Sequence, residues 1–472
     1  MGENLIIIFG IVCAYIIITT YVGAKSLKYN KSAGQMMSAK SMMGPTIVGI
    51  LLMSEFIGTS STLGTAQTAY ECGIWASWNL ISLGIGFLLY SRFIAAKIQS
   101  SGEYTISGIL SKTYGKKIKL ITSLVMAVAL IAVNVSQLTG GGATIAKLLH
   151  ISIPSAVIVV AGAAAIIVTL GGLRGVGYTN LIHASFKYIG LITVCLVAYG
   201  LYSESHLSFS QLPDSYWSVQ GLGISKMIAW TIANIGAVFS TQYVLQSIAS
   251  LDSPAEAKRA SVIAAIMVIP IGLIATLIGL SAKILFPNIP SINALPEFLS
   301  YMNPWLGGIV VSAILASTFV TVLACTIGAT ALLMKDFVIP YFRLGTHNSL
   351  WAARSVSIGI GIISVPFALF VPGLLEVVFF ARALRTILAV LVVFAFYAPF
   401  FSSKRGALLS VTLTSIITAL WFSFVNHGAV GEICCRGIFL REVDNIYVAV
   451  FCPIIILTID HFFLKDNKKK KA

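Results

Sequence analysis

The sequence predicts an all-α polytopic membrane protein, and three observations lead to that prediction. Of its 472 residues, 57% are hydrophobic and only 10% are charged. The mean hydropathy is +0.93, which lies well outside the range of soluble globular chains. Apolar runs long enough to cross a bilayer recur along the whole chain. No stretch of soluble-domain composition exceeds the length of a loop, so the sequence predicts no appended catalytic or signalling domain.

The apolar runs predict about thirteen transmembrane helices. The first run has Glu3 before it rather than basic residues, and no small-residue cleavage site after it, which is typical of a retained helix and not of a signal peptide. The predicted spans are residues 4–24, 46–69, 73–97, 120–146, 153–171, 178–202, 223–249, 261–284, 306–334, 354–372, 375–400, 407–425 and 444–464.

The basic residues predict an outside N-terminus and a cytoplasmic C-terminus. In that orientation 22 of the 31 lysines and arginines are cytoplasmic, 5 are outside and 4 lie within spans. This distribution follows the positive-inside bias, which explains the net charge of +15. No nucleic-acid partner is therefore expected. We therefore expect a multi-pass protein of the cell membrane, with the lipid bilayer around it. Its oligomeric state is left open.

The stretch of residues 46–70, which contains the second span, is interrupted where the hydrocarbon is thickest. Its sequence is TIVGILLMSEFIGTSSTLGTAQTAY, and small and polar residues cluster between Gly58 and Gly64. An unwound turn at this depth is tolerated where it lines a protein-buried cavity, and secondary transporters hold ions and substrates at such breaks. The alternative is that the small residues only allow close helix packing.

The cysteines suggest one candidate disulfide and no metal site. Four of the seven cysteines lie within predicted spans and are expected to be small core residues. Cys72, Cys434 and Cys435 fall on the predicted outer side. There are two alternatives: Cys72 forms a disulfide with Cys434 or Cys435, or the thiols stay free. A metal site is not expected, because the outer loop offers too few ligands.

Five segments of the chain resemble the sodium:solute symporter family, which contains the sodium/glucose, proline and pantothenate transporters. They follow one another in the family's order and spacing from about residue 5 to residue 425. The segments are FIGTSSTLGTAQTAYECGIW, GEYTISGILSKTYG, GGLRGVGYTNLIH, TQYVLQSIASLDSPAEAKRA and GIVVSAILASTFVTVLACTIGAT.

The resemblance implies a LeuT-like core of ten helices in two inverted repeats of five. It divides the chain into an extra helix and loop (1–45), a first repeat (46–202), a second repeat (223–400), and two C-terminal helices with a basic tail (401–472). The residues agree with this division, because Asn234, Gly236, Ser240, Thr241 and Gln242 interrupt the span 223–249. Two interrupted spans in corresponding positions predict a substrate site between the repeats.

The resemblance also implies a sodium site, and this chain departs from it. The implied ligands are the carbonyls of Ser54, Ile57 and Ser317 and two hydroxyls at positions that are Val320 and Thr321 here. A hard cation needs about five or six oxygen ligands, and valine supplies none from its side chain. If sodium is bound, its ligands are therefore Ser54, Ile57, Ser317 and Thr321.

Two further departures lie on the fifth core helix. Asn180 stands where the family has an acidic residue, and Lys187 follows in a span that the family keeps apolar. At 1.5 Å per residue, Lys187 and Ser54 lie at one depth in the membrane. A buried lysine is a functional-site hypothesis. Three alternatives stay open: Lys187 replaces the sodium ion, it forms a structural ion pair with Glu55, or it extends to water.

For the solute, the resemblance implies contacts from both repeats. Ala237 and Val268 replace a tyrosine and a lysine of the bacterial sugar transporter, which disfavours a sugar. Arg382 and Arg385 share one helical face and would offer a planar fork to a carboxylate, although one of them would equally serve to brace its helix. The predicted solute-binding residues are Ser61, Asn79, Ser82, Asn234, Gln242 and Arg382.

The predicted function is uptake of a small polar organic solute by alternating access. Sodium is the coupling ion that the resemblance implies, and no other cofactor is expected. The alternatives are a proton-coupled or ion-independent transporter or exchanger of an anionic solute, and a transporter-like membrane sensor. Nothing in the sequence resembles a channel selectivity filter. An enzyme is not expected, because the six histidines are scattered without a His-x-x-x-His spacing.

Overall fold

The structure is a computed structural model that describes residues 2–25, 36, 43–149, 151–205, 207–369, 374–401, 403–426 and 443–464. Helices account for most of these residues, as the composition predicts. The helices used below are α1 (Gly2–Lys25), α2 (Pro45–Phe56), α3 (Thr59–Cys72), α4 (Trp78–Phe93), α5 (Ala95–Ser100), α6 (Ile106–Tyr114), α7 (Ile118–Leu149), α8 (Ile153–Glu204), α9 (Ile224–Ser240), α10 (Gln242–Ala249), α11 (Pro254–Leu285), α12 (Pro304–Leu333), α13 (Thr346–Ala368), α14 (Leu374–Tyr397), α15 (Lys404–Leu420) and α16 (Asn445–Ile459).

Both interruptions predicted from the sequence are present. Helices α2 and α3 meet at a bend of 55°, and α9 and α10 meet at a bend of 45°. The first break is set by Ile57 and Gly58, which both leave the helical conformation. A side chain on Gly58 would overlap the amide of Gln137, so glycine allows α7 to approach the break. The second break is the extended residue Thr241.

The predicted spans 153–171 and 178–202 are joined in the 52-residue element α8. In a straight helix Val160 and Lys187 would be about 40 Å apart. Instead, both lie beside the same part of α12, because Val160 lines a cavity with Leu315, whereas Lys187 lines another with Ser317. Both halves of α8 therefore lie against α12, and the element is not straight between them.

The described helices overlap the predicted spans closely. Ten are long and apolar enough to cross a membrane, or twelve if each bent pair is one span, and the shorter apolar helix Ile153–Ala165 adds another. The exact number of spans, their orientation and the boundaries of the repeats stay predictions. Cys434 and Cys435 lie outside the described residues, so the disulfide with Cys72 stays a prediction.

Helix α12 is the centre of the bundle. Nearly every residue from Gly307 to Leu332 is buried. The helices α1, α7, α8 and α13 all pack against it. The two C-terminal helices α15 and α16 pack against each other and against α14. This arrangement places the middle of α12 beside the first break.

Candidate ion and solute site

Lys187 reaches from the second half of α8 to the break between α2 and α3. Its ammonium donates hydrogen bonds to the carbonyl oxygens of Ser54 and Ile57, both over 2.6 Å, and to the Ser54 hydroxyl over 3.1 Å. The side chain is only 1% exposed. Helix α2 ends at Phe56, and carbonyls in the last turn of a helix lack helical partners. Three acceptors match the three N–H groups of a protonated lysine.

Helix α12 contributes one hydroxyl to the same place. The Thr321 hydroxyl lies 3.1 Å from the carbonyl oxygen of Glu55 and 3.3 Å from that of Ser317, and it donates its one hydrogen to either of them. The Ser317 hydroxyl donates to the Ala313 carbonyl of its own helix. Val320 is fully buried and offers no oxygen from its side chain. The structure therefore brings Lys187 together with all four predicted sodium ligands.

Two predicted residues of this site make no side-chain hydrogen bond within the described part of the chain. Glu55 is fully buried, and neither of its carboxylate oxygens has a partner there. It interacts electrostatically with Lys187, but no direct ion pair joins the two described side chains. Asn180 is likewise buried, with neither amide atom paired to a described residue.

Sequence reasoning missed His183, which lies one helical turn before Lys187. Its Nδ1 atom shares a hydrogen bond with the Tyr15 hydroxyl of α1. Both rings are buried, and Nε2 of His183 has no partner among the described residues. The spacing of four residues from Lys187 was the available signal. The contact ties the extra N-terminal helix to the core beside the lysine.

Four of the predicted solute-binding residues form one hydrogen-bonded network. Arg382 donates from Nη1 to the side-chain oxygen of Asn79 over 3.0 Å. The Asn79 amide in turn donates to the Thr65 hydroxyl over 3.1 Å. Asn234 donates to the Asn79 carbonyl and to the Ser82 hydroxyl, each over 2.8 Å. The network joins α3, α4, α9 and α14 just beyond the first break.

Two aromatic rings that the sequence reasoning missed support Arg382. Its guanidinium carbon lies 4.6 Å from the centre of the Phe379 ring, one turn earlier on α14. That ring stacks on Trp230 of α9 at a centroid distance of 5.0 Å. A cation held against an aromatic face is stabilised by the ring's electrons and fixed in orientation.

The other two predicted solute residues lie elsewhere. The Ser61 hydroxyl donates to the Phe56 carbonyl over 3.0 Å, at the first break. Gln242 does not join the solute network, because its amide accepts from the Ile106 N–H and donates to the Tyr104 carbonyl, each over 2.9 Å. It therefore holds the loop before α6. Burial beside carboxylates raises the pKa of Tyr104 to about 12, so this phenol stays neutral.

The same loop is also bound to the end of α12. Lys335 forms an ion pair with Glu103 over 2.7 Å. Asp336 accepts hydrogen bonds from the hydroxyls of Ser107 and Ser123. Through Gln242 and Lys335, the loop links the second broken helix to α12.

Arg385 lies at the second break. It donates from Nε to the Ala381 carbonyl over 3.0 Å and from Nη1 to the Thr241 hydroxyl over 3.1 Å. Arg382, Arg385, Asn79 and Asn234 are all at most 2% exposed. In this conformation the arginines and the network around them are therefore closed to water. The described cationic groups of the site therefore lie at three places: Lys187 at the first break, Arg382 in the network, and Arg385 at the second break.

Comparisons with known proteins place the chain in a family of transporters. The model of the Sodium:solute symporter family matches residues 36–414. The sodium/glucose cotransporter of Vibrio parahaemolyticus is 22% identical, over 89% of this chain and 85% of its own length. The sodium/proline symporter of Escherichia coli (strain K12) is 20% identical, over 75% of this chain and 76% of its own.

A solved structure supports the fold. The substrate-bound outward-open state of a Na+-coupled sialic acid symporter matches with a TM-score of 0.78 and 15% identity, over 96% of this chain and 97% of that one. At this identity the likeness shows the fold alone. The predicted LeuT-like transporter fold is thereby confirmed.

Proposed function

The chain belongs to the sodium:solute symporter family, and from that membership we propose that it takes up a small polar solute with Lys187 in place of the family's sodium ion. It is a multi-pass membrane protein and a secondary transporter of the symporter type. It is not an enzyme, because its relatives are transporters. Its coupling ion and its solute are the subject of the proposal.

The observation that carries the proposal is the pair of 2.6 Å hydrogen bonds from Lys187 to Ser54 and Ile57. These are the carbonyls that the family resemblance assigns to sodium. An ammonium and a sodium ion each carry one positive charge, so the exchange preserves the charge of the site. If the site held an ammonium and a sodium ion together, their repulsion would cost about 4 kcal/mol at a separation of 4 Å and an effective dielectric constant of 20. Lys187 and sodium therefore exclude each other.

Two departures from the family pattern support the same conclusion. Val320 removes one of the five implied oxygens, and Asn180 removes a carboxylate that would attract a cation. The ion-pair alternative has less support, because Glu55 makes no direct contact with the ammonium among the described residues. If Lys187 has replaced the sodium ion, one change explains three features: the lost hydroxyl at Val320, the lost carboxylate at Asn180 and the added cation.

The mode of coupling depends on the proton of Lys187. If the lysine stays charged throughout the cycle, the protein is a facilitator or an exchanger. If the lysine releases its proton in one state, transport is coupled to protons. Uptake measured with and without an imposed pH gradient separates the two modes.

We further propose that the solute carries an anionic group that binds Arg382. A guanidinium at this depth is costly, and its described hydrogen-bond partner is the neutral Asn79. Its Nε atom is buried without a partner in the described part of the chain. A carboxylate would satisfy this donor and balance the charge.

Binding of radioactive sodium to the purified protein tests the proposal. We expect no saturable binding to the unaltered protein. The double variant Lys187→Ala with Val320→Ser should gain it, because it removes the ammonium and restores the missing oxygen. Lys226→Ala, which alters an exposed lysine, serves as the control. Saturable sodium binding to the unaltered protein would contradict the proposal. Accumulation of solute in proteoliposomes separates a transporter from a sensor.

A further inference from the structure

Two buried arginines lie next to each other on α14. Arg382 is 1% exposed and Arg385 is 2% exposed. Residues three apart on a helix have their Cβ atoms about 5 to 6 Å apart. The two guanidinium groups are close enough to repel each other. A buried pair of like charges is unfavourable unless negative charge lies nearby.

All the described hydrogen-bond partners of these two guanidinium groups are neutral. Arg382 binds the amide oxygen of Asn79 and lies against the Phe379 ring. Arg385 binds the Ala381 carbonyl and the Thr241 hydroxyl. These contacts orient the guanidinium groups without compensating their charge.

The buried acidic residues do not compensate it either. Among the residues that the structure describes, Glu55, Asp336 and Asp460 are the buried acids. Asp336 is bound by two serine hydroxyls at the end of α12, and Asp460 lies after α16. Glu55 is thus the one described carboxylate beside the two breaks, and it also faces Lys187. Lys187 and Glu55 together add no net charge, whether both are ionised or both are neutral, so the two arginines leave two positive charges uncompensated among the described residues.

We propose that the transported solute is a dianion, with one acidic group bound by Arg382 and the second by Arg385. The proposal rests on the proposed function, since it takes the anion at Arg382 and adds a second. Both a dicarboxylate and a phosphate monoester have this chemistry. Each presents oxygens that a guanidinium binds in a planar, bidentate manner.

The position of the two arginines fits a solute that bridges the broken helices. Arg382 is connected through Asn79 to Thr65 of α3, beyond the first break. Arg385 binds Thr241, the residue immediately before α10. The N-terminal end of α10 carries partial positive charge and also favours an anion. A dianion held by both arginines would therefore connect the two half-helices α3 and α10.

Equilibrium binding to the purified full-length protein tests this proposal. The probes are succinate, glutarate, glycerol 3-phosphate, the monoanion butyrate and the neutral succinamide. At least one dianion should bind about tenfold or more tightly than butyrate, since one charged hydrogen bond is worth that much. Preference for glycerol 3-phosphate or for the dicarboxylates identifies which dianion the site takes.

Variants assign the second charge to Arg385. Arg385→Gln should lower dianion affinity to about that of butyrate and leave butyrate affinity within about threefold, because one ionic contact is lost. The retained butyrate affinity shows that Arg385→Gln is folded, and Arg385→Lys, which keeps the charge but not the planar fork, should keep part of the preference for dianions. Arg382→Gln should weaken both classes. Arg354→Gln, which alters a partly exposed arginine stacked on Trp351, is the control and should change neither.

Three results would overturn the proposal: equal affinity for dianions and butyrate, equal losses for both in Arg385→Gln, or no binding of any dianion. If the proposed function itself were wrong, the binding measurements would give other results. In that case Arg382→Gln leaves the affinity for every probe unchanged, or succinamide binds as well as the anions.

Discussion

The Lys187 ammonium lies 2.6 Å from the carbonyl oxygen of Ile57, at the point where the first broken helix bends by 55°. A sodium ion at this place can leave the protein in each transport cycle, whereas a lysine stays attached to α8. The break can therefore move relative to α8 only if the ammonium exchanges these acceptors for others. On the proposed function, the group that binds the break therefore stays with the protein throughout the cycle.

The transmembrane orientation can be tested by labelling single cysteines. In a background without native cysteines, Ser208→Cys should react with an impermeant maleimide from outside and Lys470→Cys from the cytoplasm, because the basic residues place these positions on opposite sides. Intact and inverted vesicles provide the comparison. Labelling of both positions from the same side would contradict the predicted topology.

Replacement of Arg382 by glutamine should weaken binding of anionic solutes selectively. Loss of a hydrogen bond to a charged group is expected to cost about 1.5 to 3 kcal/mol, whereas a neutral analogue should be affected little. Dissociation constants for an acid and its amide measure the difference, with Arg354→Gln as the matched control. A natural solute that proves to be a neutral sugar or polyol would refute this interpretation.

The loop before α6, which the basic residues predict to lie in the cytoplasm, should stabilise the state in which the first break is closed to water. Gln242→Ala leaves the Ile106 N–H without its partner, and an unpaired buried donor costs about 1 to 3 kcal/mol. Glu103→Gln breaks an ion pair whose side chains are 22% and 25% exposed, and such a pair contributes only about 0.2 to 1 kcal/mol. We therefore expect Gln242→Ala to open this side of the protein more than Glu103→Gln does.

Labelling of Ser61→Cys from the cytoplasmic side measures this opening, since Ser61 is buried at the first break. The labelling rate should rise most with Gln242→Ala, less with Glu103→Gln, and not with Gln67→Ala, which alters an amide near the other end of α3. An unchanged rate in Gln242→Ala would show that the loop does not hold the closed state.

Much of the fold could be predicted because its signals are local. Small and polar residues inside an apolar run indicate both breaks, since an unwound turn needs residues that tolerate it. The depth of Lys187 beside Ser54 followed from the helical rise alone. The contact between them required only that the two helices be neighbours, which the family resemblance implied.

The missed contacts depend on distant parts of the chain. Gln242 resembles a solute ligand in the sequence, yet its amide binds a loop that precedes it by more than 130 residues. His183 bonds to Tyr15 on a helix outside the predicted core. Nothing in the local pattern of either residue indicates its partner, because the pairing depends on how separate helices pack.

The sodium dependence of transport shows whether Lys187 replaces the ion. Initial uptake of the anionic solute into proteoliposomes is measured with sodium or with choline at fixed pH, for the unaltered protein, Lys187→Ala and the control Lys226→Ala. We expect equal rates in sodium and choline for the unaltered protein and the control, and loss of uptake in Lys187→Ala. A steep sodium dependence in the unaltered protein would contradict this expectation and leave Lys187 a structural role.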